Sequence, residues 1–334
     1  MKLKGSYFEF AMPINEIEIK ENVFQAHCHD GNGKGYMYLL GIEKGEPCKF
    51  TLSEKDFKIL SRFPEMDLKV KKDVLEVKSG NVKLKLASMM GHLTYIPDFE
   101  GMEKLNVAYK DLYRAKSFTG NDAIKIQANG VTVHDDTIIA SDRIMLFEID
   151  NLSTGLKEPI NIPKEVFKKV PLSDEIEIFA NDKGARFTLP GGYGFFYTNL
   201  LVQQLPKGMK NQFNSTLKGI EFKASKKDII GNLKQIQEID FEGNVDFCFD
   251  AENKKIMMKG IRQEGDIQIE LDCEINKIEK DTTLVYNINK LITVLNATDE
   301  ETIEVETGEK SLFVIKGDAF IALCPTQRTP GGAK

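Results

Sequence analysis

The sequence predicts an α+β protein in which strands predominate and one small structural unit recurs. Runs that alternate between apolar and polar residues are spread along the whole chain, as expected for half-buried strands. Five short segments with helical periodicity interrupt these runs, and three of the five are followed by a strand, a tight turn and a second strand. Such recurrence favours repeated domains over a single core.

The clearest strands are five alternating runs. They are Val74–Lys78, Val82–Leu86, Glu175–Phe179, Ile267–Leu271 and Thr302–Glu306.

Five helices are predicted from apolar spacing and from capping residues. They cover residues 53–63, 107–118, 163–170, 225–239 and 287–297. Ser53 is a suitable N-cap, with acidic residues in the first turn behind it. Pro163 suits a first helical position, and Pro171 would end that helix.

The repeated unit divides the chain into three domains. We expect them at residues 1–100, 101–208 and 209–334, with candidate linkers at 97–105 and 205–219 that are rich in Pro, Gly, Asn and Lys. Each domain should carry outer antiparallel sheets and two helices. Residues 1–50 show strands without a clear helix, so the first domain could lack one of its two.

Composition limits the class of protein. The 334 residues are 41% hydrophobic and 29% charged, which excludes disordered and collagen-like chains. No apolar run approaches the roughly 18 residues of a membrane span. The five cysteines are scattered and never form a CxxC pair, and no secretion signal is visible. We therefore expect a soluble, cytoplasmic protein without a cofactor.

Charge is distributed unevenly between the helices and the rest of the chain. The net charge is −6, yet the five predicted helices carry 13 basic and 6 acidic residues, while the remainder carries 32 and 45. If the repeats align their helices, one surface becomes a positive track on a negative body. Such a track contacts phosphates without reading bases. The candidate DNA-binding residues are Lys55, Lys58, Arg62, Lys110, Arg114, Lys164, Lys168, Lys227, Lys234 and Lys290.

Several segments together resemble the bacterial β sliding clamp, the processivity ring of replicative DNA polymerase III. Residues 284–297 resemble the clamp helix F-N-x-x-Y-L-x-D-V-L-x-A, and residues 319–325 resemble its last strand, which ends in M-P-M. Residues 139–146 are similar to A-T-D-G-H-R-L, and residues 197–206 to the strand before R-R-V-L-P. Residues 77–99 resemble V-R-S-G…F-P-N. The order and spacing of these motifs match over about residues 55–325.

The resemblance implies a non-enzymatic homodimeric ring of two three-domain subunits joined head to tail. Helices would line a central hole around double-stranded DNA, and sheets would lie outside. The partners would be DNA without sequence preference, short peptide motifs of a DNA polymerase and a clamp loader, and a second copy of the chain. No membrane is involved, and the location would be the cytoplasm, at the replication fork.

The resemblance also implies a peptide pocket between the second and third domains. The positions that match its motifs are Asp142, Arg143, Leu146, Leu205, Pro206, Cys324 and Pro325. Leu146, Pro206 and Pro325 are expected to form its walls.

The sequence departs from the clamp pattern at both sides of this pocket. Arg143-Ile144 replaces the Gly-His pair, and the ending M-P-M-R-L becomes Cys324-Pro325-Thr326-Gln327-Arg328 before a polar tail. This divergence fits a clamp encoded by a phage or a mobile element.

The alternative function is a β-rich metal-dependent enzyme or a structural assembly protein with a surface site around His27 and His29. Alternating strand positions put both imidazoles on one face, where they could bind a transition metal. No further ligand set and no catalytic constellation has matching spacing. We therefore interpret residues 27–30 as a surface strand that enters a hairpin turn at Gly31–Gly35, and expect no metal site.

Overall fold

The computed structural model describes residues 1–88, 97–191, 194–214, 219–238, 243–262, 265–308 and 312–326. Its contacts divide the chain into two compact units. The first unit contains residues 1–110 and 165–200, and the second contains residues 111–164 and 201–334.

Twenty-five strands are found in the described part of the chain. Those before residue 105 are β1 (Lys2–Lys4), β2 (Ile14–Lys20), β3 (Val23–His29), β4 (Gly35–Gly41), β5 (Cys48–Ser53), β6 (Glu65–Lys71), β7 (Val74–Ser79), β8 (Val82–Ala87) and β9 (Glu103–Lys104). The next are β10 (Gly130–Val133), β11 (Ile138–Ser141), β12 (Met145–Ile149), β13 (Ile160–Pro163), β14 (Ile178–Ala180), β15 (Gly184–Thr188) and β16 (Gly194–Asn199). The last are β17 (Gly219–Ser225), β18 (Asn244–Asp250), β19 (Lys255–Arg262), β20 (Gly265–Glu270), β21 (Cys273–Ile278), β22 (Thr282–Asn287), β23 (Thr302–Gly308), β24 (Phe313–Lys316) and β25 (Phe320–Leu323).

The strands form two antiparallel sheets in each unit. The first unit contains an eight-stranded sheet in the order β5-β2-β3-β4-β16-β15-β14-β9 and a four-stranded sheet in the order β1-β6-β7-β8. The second contains a nine-stranded sheet, β13-β10-β11-β12-β25-β24-β23-β17-β21, and a four-stranded sheet, β20-β19-β18-β22. The α+β, sheet-rich class predicted from the sequence is confirmed.

The α-helices are short. They are α1 (Glu54–Leu60), α2 (Tyr109–Ala115), α3 (Met209–Asn214), α4 (Lys226–Gln237) and α5 (Ile288–Asn296). Single 3₁₀ turns occupy Gly5–Phe8, Lys116–Phe118, Ile126–Asn129 and Lys164–Lys168.

Three of the helices begin directly at the end of a strand, and the last strand residue is the cap. Ser53 Oγ accepts from the backbone N–H of Asp56 at 3.1 Å, and Ser225 Oγ accepts from that of Asp228 at 3.3 Å. Asn287 Oδ1 accepts from Lys290 N–H at 3.1 Å. A side-chain oxygen here satisfies one of the free donors of the first turn, so the cap determines where strand becomes helix.

Aromatic side chains fill the cores of both units. In the first unit, the Phe8 ring meets the rings of Phe24 and Phe57 edge to face, at centroid distances of 5.4 and 5.1 Å. In the second, Tyr286 and Phe313 meet in the same way at 5.5 Å. These contacts hold each short helix or turn against a sheet.

The predicted helix at 163–170 is wrong. Pro163 is the last residue of β13, an edge strand, where the missing N–H of proline is tolerated. Only one 3₁₀ turn follows, at Lys164–Lys168. The candidate linker at 205–219 contains α3, which was not predicted because six residues give too little periodicity.

No helix in the described part of the chain combines the length and the apolar character that a membrane crossing needs.

The expectation that His27 and His29 lie on a surface strand is also wrong. Both are on β3 but are 0% and 1% exposed, beside Glu16, which is 5% exposed. Glu16 Oε2 lies 3.3 Å from His29 Nε2 and 3.6 Å from His27 Nδ1, and the two imidazoles stack at 4.6 Å. His27 Nε2 contacts the Tyr197 hydroxyl at 2.7 Å.

The predicted Gly31–Gly35 turn is confirmed, since Gly31 and Gly33 have φ of +79° and +87°.

This buried cluster makes stability depend on pH. Burial, together with the neighbouring His29, lowers the pKa of His27 from 6.5 to about 4, and Glu16 only partly opposes this. The unfolded chain therefore binds the proton more readily than the folded one. Stability should fall as pH drops from 6.5 towards 4, by about 2 kcal/mol between pH 7 and pH 5.

Urea unfolding at pH 7 and pH 5 measures this loss. His27→Gln cannot titrate. Its free energy of unfolding should therefore fall by about 2 kcal/mol less between pH 7 and pH 5 than that of the unchanged chain. Tyr197→Phe removes a hydrogen bond but keeps the imidazole, so it should preserve the difference. An equal pH dependence in the Gln variant would contradict this role of His27.

Candidate nucleic-acid and peptide interfaces

Three helices carry an exposed lysine at the same position. Lys55, Lys110 and Lys227 are each the second residue of their helix, in α1, α2 and α4 respectively. Each is followed by an aspartate and then by a fully buried apolar residue, in the sequences Lys-Asp-Phe, Lys-Asp-Leu and Lys-Asp-Ile. The buried residue orients each helix on its sheet, so the preceding lysine faces solvent in all three. Sequence reasoning proposed these lysines but missed the shared Lys-Asp-apolar motif.

Helix stability does not explain cations at these positions. The amino end of a helix bears partial positive charge, which favours acidic and disfavours basic side chains in the first turn. Lys58 and Lys234, by contrast, lie in the last turns of α1 and α4, where a cation stabilises the helix. The first-turn positions of Lys55, Lys110 and Lys227 are therefore not explained by helix stability.

The remaining predicted basic residues fall into different environments. Lys58 is exposed and pairs with Glu54 at 2.5 Å. Arg62, Lys168 and Lys234 are exposed. Lys164 is half-buried, and its ammonium donates to the carbonyl of Gly120 and to the side chain of Asn121.

The predicted α-helix would place Lys164 and Lys168 on one face, but the 3₁₀ turn does not. With three residues per turn, positions four apart on a 3₁₀ turn diverge by about a third of a revolution. They also belong to different compact units.

Arg114 is part of the structural framework of the second unit. Its side chain is 9% exposed, and its guanidinium donates to both carboxylate oxygens of Asp318 at 2.6 and 3.1 Å. It also donates to the carbonyl of Ala297, the residue that caps α5. These bonds connect α2, α5 and the β24–β25 turn, and they occupy the charge that was predicted to face DNA.

An apolar cluster in the second unit brings together three of the predicted pocket residues. Leu146 and Leu205 are buried members, and half-buried Cys324 packs against them. The members that the sequence did not suggest are Ile139, Leu312, Val314, Phe320, Ala322 and the partly buried Met209.

Strand register explains why these residues meet. Leu146 on β12 lies opposite Ala322 on β25, and Ala322 lies opposite Val314 on β24. Motif spacing could not reveal this, because more than 160 residues separate β12 from β24 and β25. Only the pairing of β12 with β25 joins their apolar residues into one buried cluster.

Asp142 and Arg143 form a turn beside the cluster. Asp142 Oδ1 accepts from the N–H groups of Ile144 and Met145 at 2.9 and 2.6 Å, and Arg143 has a left-handed φ of +77°. This backbone geometry directs the Arg143 side chain outwards, where it is half exposed and pairs with Asp122. Lys290, one of the predicted DNA-binding residues, contacts Asp142 Oδ2 at 3.2 Å.

The two predicted wall prolines lie outside the apolar cluster. Among the described residues, Pro206 is exposed and Pro325 is half-buried, and neither belongs to the packed set. They follow Leu205 and Cys324, which do belong to it.

Glu16, His27 and His29 are the group of metal-ligand type in the described part of the chain. The hydrogen-bond pattern accounts for this group as part of the core. His29 Nδ1 accepts from the Gly31 N–H at 3.1 Å, so Nε2 carries the hydrogen and faces Glu16 as a donor. A metal-bound imidazole needs the opposite arrangement, with its second nitrogen donating. The three side chains are also almost fully buried, which denies access to a substrate.

Comparison with known proteins relates the chain to one group of structures. No protein-family model matches it, and neither does any curated protein. The structure of the DNA polymerase III β subunit from Thermotoga maritima matches with a TM-score of 0.78 at 14% identity, over 96% of this chain and 93% of that chain.

Two further structures give the same result. The DNA polymerase sliding clamp from Pseudomonas aeruginosa has a TM-score of 0.81 at 13% identity, over 98% of this chain and 99% of that one. The DNA polymerase β subunit of Streptococcus pyogenes has a TM-score of 0.78 at 17% identity, over 95% and 92%. The expected clamp-type fold is confirmed, since this chain has the fold of these β subunits and sliding clamps along almost its full length.

Proposed function

We propose that this protein is a non-enzymatic DNA sliding clamp, which encircles duplex DNA and tethers a DNA polymerase and other replication proteins through short peptides. The observation that carries the proposal is the exposed lysine at the second position of three helices. The clamp-type fold supports it, because structures of DNA polymerase sliding clamps share that fold. The buried position of the His27 cluster disfavours the metal-enzyme alternative.

The charge distribution suits sliding. Lysines on successive helices attract phosphates without reading bases, and the acidic remainder of the chain limits binding elsewhere. In this proposal the DNA-facing residues are Lys55, Lys58, Arg62, Lys110, Lys168, Lys227 and Lys234, with half-buried Lys164 and Lys290 at the margin. Arg114 is not among them, because its guanidinium is bonded to Asp318 and to the carbonyl of Ala297. The site of action would be the cytoplasm, at the replication fork.

A closed ring needs two complementary edges, and the four-stranded sheets supply them. Edge strand β8 exposes Lys83 and Lys85, and edge strand β20 of the other sheet exposes Asp266 and Glu270. Apolar residues alternate with these charges: half-buried Ile267 and Ile269 on β20, and exposed Val82, half-buried Leu84 and buried Leu86 on β8. An unpaired edge is a template for another strand. We propose that β8 of one copy pairs with β20 of the next, and that the three domains at 1–100, 101–208 and 209–334 make a six-domain ring from two chains.

The peptide site is the apolar cluster around Leu146, Leu205 and Cys324. Its rim carries Asp142, Arg143, Pro206 and Pro325, and exposed Ile144 adds apolar surface there. The accessible margin of the cluster is formed by half-buried Cys324 and Met209, and an apolar margin with a few polar groups beside it fits short linear peptides of polymerases and clamp loaders.

Topological binding tests the function directly. Rings assembled in the presence of nicked circular DNA should stay with it during gel filtration at high salt, and should be released when a restriction enzyme linearises the circle. Equal retention on circular and linear DNA would contradict encirclement.

The first-turn lysines should set DNA affinity. Lys55→Gln, Lys110→Gln and Lys227→Gln combined should lower affinity for linear duplex DNA by more than about tenfold. The slope of log K against log salt should become shallower by about 0.9 for each phosphate that the variant no longer neutralises. Fluorescence anisotropy across a salt series measures both quantities.

A matched variant controls for net charge. Lys69, Lys125 and Lys183 are exposed residues outside the helices, and changing all three to Gln removes the same charge. If this control weakened binding as much as the helix variant, the positive track would be refuted.

Ring closure should depend on the charged edges. The chain should behave in light scattering as a dimer of about 75 kDa, twice its 37.7 kDa mass. Lys83→Glu with Lys85→Glu places like charges against Asp266 and Glu270 and should weaken the dimer by on the order of a hundredfold. Adding Asp266→Lys and Glu270→Lys should restore it. Dimers that persist in the first variant would exclude this pairing.

Peptide capture should depend on the rim of the apolar cluster. Panning a random nonapeptide display library on the chain should enrich peptides with adjacent apolar residues, and Cys324→Glu should weaken the selected peptides by on the order of tenfold. Leu172→Glu, an exposed apolar position in the other unit, is the control and should have no effect. Enrichment that survives Cys324→Glu would place the peptide site elsewhere.

A further inference from the structure

A polar cavity adjoins the apolar cluster in the second unit. It has a volume of about 380 Å³ and is lined by Glu148, Lys210, Lys316, Asp318 and Phe320, among others. Phe320 belongs to both the cavity and the cluster.

The cavity lies next to the apolar cluster along strand β12. Leu146 and Glu148 are two residues apart on this strand and therefore point to the same face. Their partners across the sheet, Ala322 and Phe320, alternate in the same way. The buried apolar cluster at Leu146 is thus followed, one strand repeat further along, by the carboxyl group of Glu148.

Every other charge that lines the cavity has an ion-pair partner within the second unit. Lys210 pairs with Asp150. Lys316 pairs with Glu306 at 2.7 Å. Asp318 pairs with Arg114 at 2.6 Å.

Glu148 differs from these groups. It is 1% exposed, and its Oε2 accepts from the backbone N–H of Lys210 at 2.9 Å. Its Oε1 is buried and has no hydrogen-bond partner among the described residues. Burial raises the pKa of this carboxyl group. An unsatisfied buried oxygen is unfavourable, so a ligand that supplied a donor or a positive charge here would recover free energy.

We propose that Glu148 forms a subsite for a basic side chain of the bound peptide, two positions away from an apolar residue that packs at the accessible margin of the cluster, level with Leu146. The subsite rests on the peptide pocket proposed above and adds a specificity rule to it.

The spacing follows from the strand. Successive same-face positions of an extended chain are about 6.7 Å apart, in β12 and in a bound peptide alike. An apolar residue level with Leu146 therefore brings the side chain two positions along to the level of Glu148. Lys or Arg reaches the cavity with an apolar stem and a charged end, which matches an apolar margin beside an acidic cavity.

Other ligand classes fit less well. An anion would meet a carboxyl group without a compensating free cation, since Lys210 and Lys316 are already paired. A divalent cation needs several oxygen ligands, and the other lining carboxylates are engaged with Lys210 and Arg114.

The same display library tests the rule. Peptides selected on the unchanged chain should carry Lys or Arg two positions from the apolar anchor, and those selected on Glu148→Gln should not. Selected peptides are then synthesised with a fluorescent label, both as found and with the basic residue replaced by norleucine, which keeps the stem and removes the charge.

We expect the basic peptide to bind the unchanged chain with tenfold higher affinity than its norleucine counterpart. On Glu148→Gln this difference in affinity should fall to less than twofold. The Gln side chain retains an oxygen that can accept from Lys210 N–H, and thermal melting checks that the variant remains folded. Asn151→Ala, which alters the cavity without touching Glu148 chemistry, is the matched control and should preserve the advantage.

The outcomes separate the two proposals. If apolar peptides bind but the basic residue gives no advantage, or gives the same advantage on Glu148→Gln, the subsite is overturned and the pocket stands. If no peptide is selected, the pocket is overturned, and the subsite with it.

Discussion

The junction at which a strand runs directly into a capped helix is the constraint on which this structure depends. Helices of seven to twelve residues are marginal by themselves, because nucleation costs more than so few hydrogen bonds return. Here a serine or asparagine at the strand end satisfies the first turn. An apolar residue four positions later anchors the helix on the sheet. This junction gives α1, α4 and α5 a defined outer face, and the exposed positions of Lys55 and Lys227 follow from that geometry.

Charge has two separate roles in this chain, and burial distinguishes them. Arg114 is nearly enclosed and joins α2 to the end of α5 and to Asp318, so its charge holds elements of the second unit together. The first-turn lysines are exposed and lie where the helix dipole opposes them. In the proposed function these lysines contact DNA phosphates, which offsets their unfavourable position in the first turn. The nearly enclosed carboxyl group of Glu148 is likewise unfavourable without a ligand, and we propose that a basic side chain of the bound peptide satisfies it.

Sequence patterns predicted the local features well. Ser53 as a cap, the turn at Gly31–Gly35 and the strands around residues 74–86 all agree with the structure, because each depends on a few neighbouring residues. The helix at 163–170 failed because Pro163 pairs in a sheet with a distant strand. His27 and His29 were placed at the surface because alternation reveals a shared face but not which face is covered.

The sequence by itself determined the α+β class and the excess of basic residues in the helical segments, since hydrophobic period, capping chemistry and residue charge are written locally. Only the tertiary structure decided which charges remain available, as with Arg114, and which apolar residues converge around Leu146. It also decided that Glu148 adjoins that cluster. These depend on register between strands more than 170 residues apart, such as β12 and β25, and pairing over such separations leaves no periodic trace in the chain.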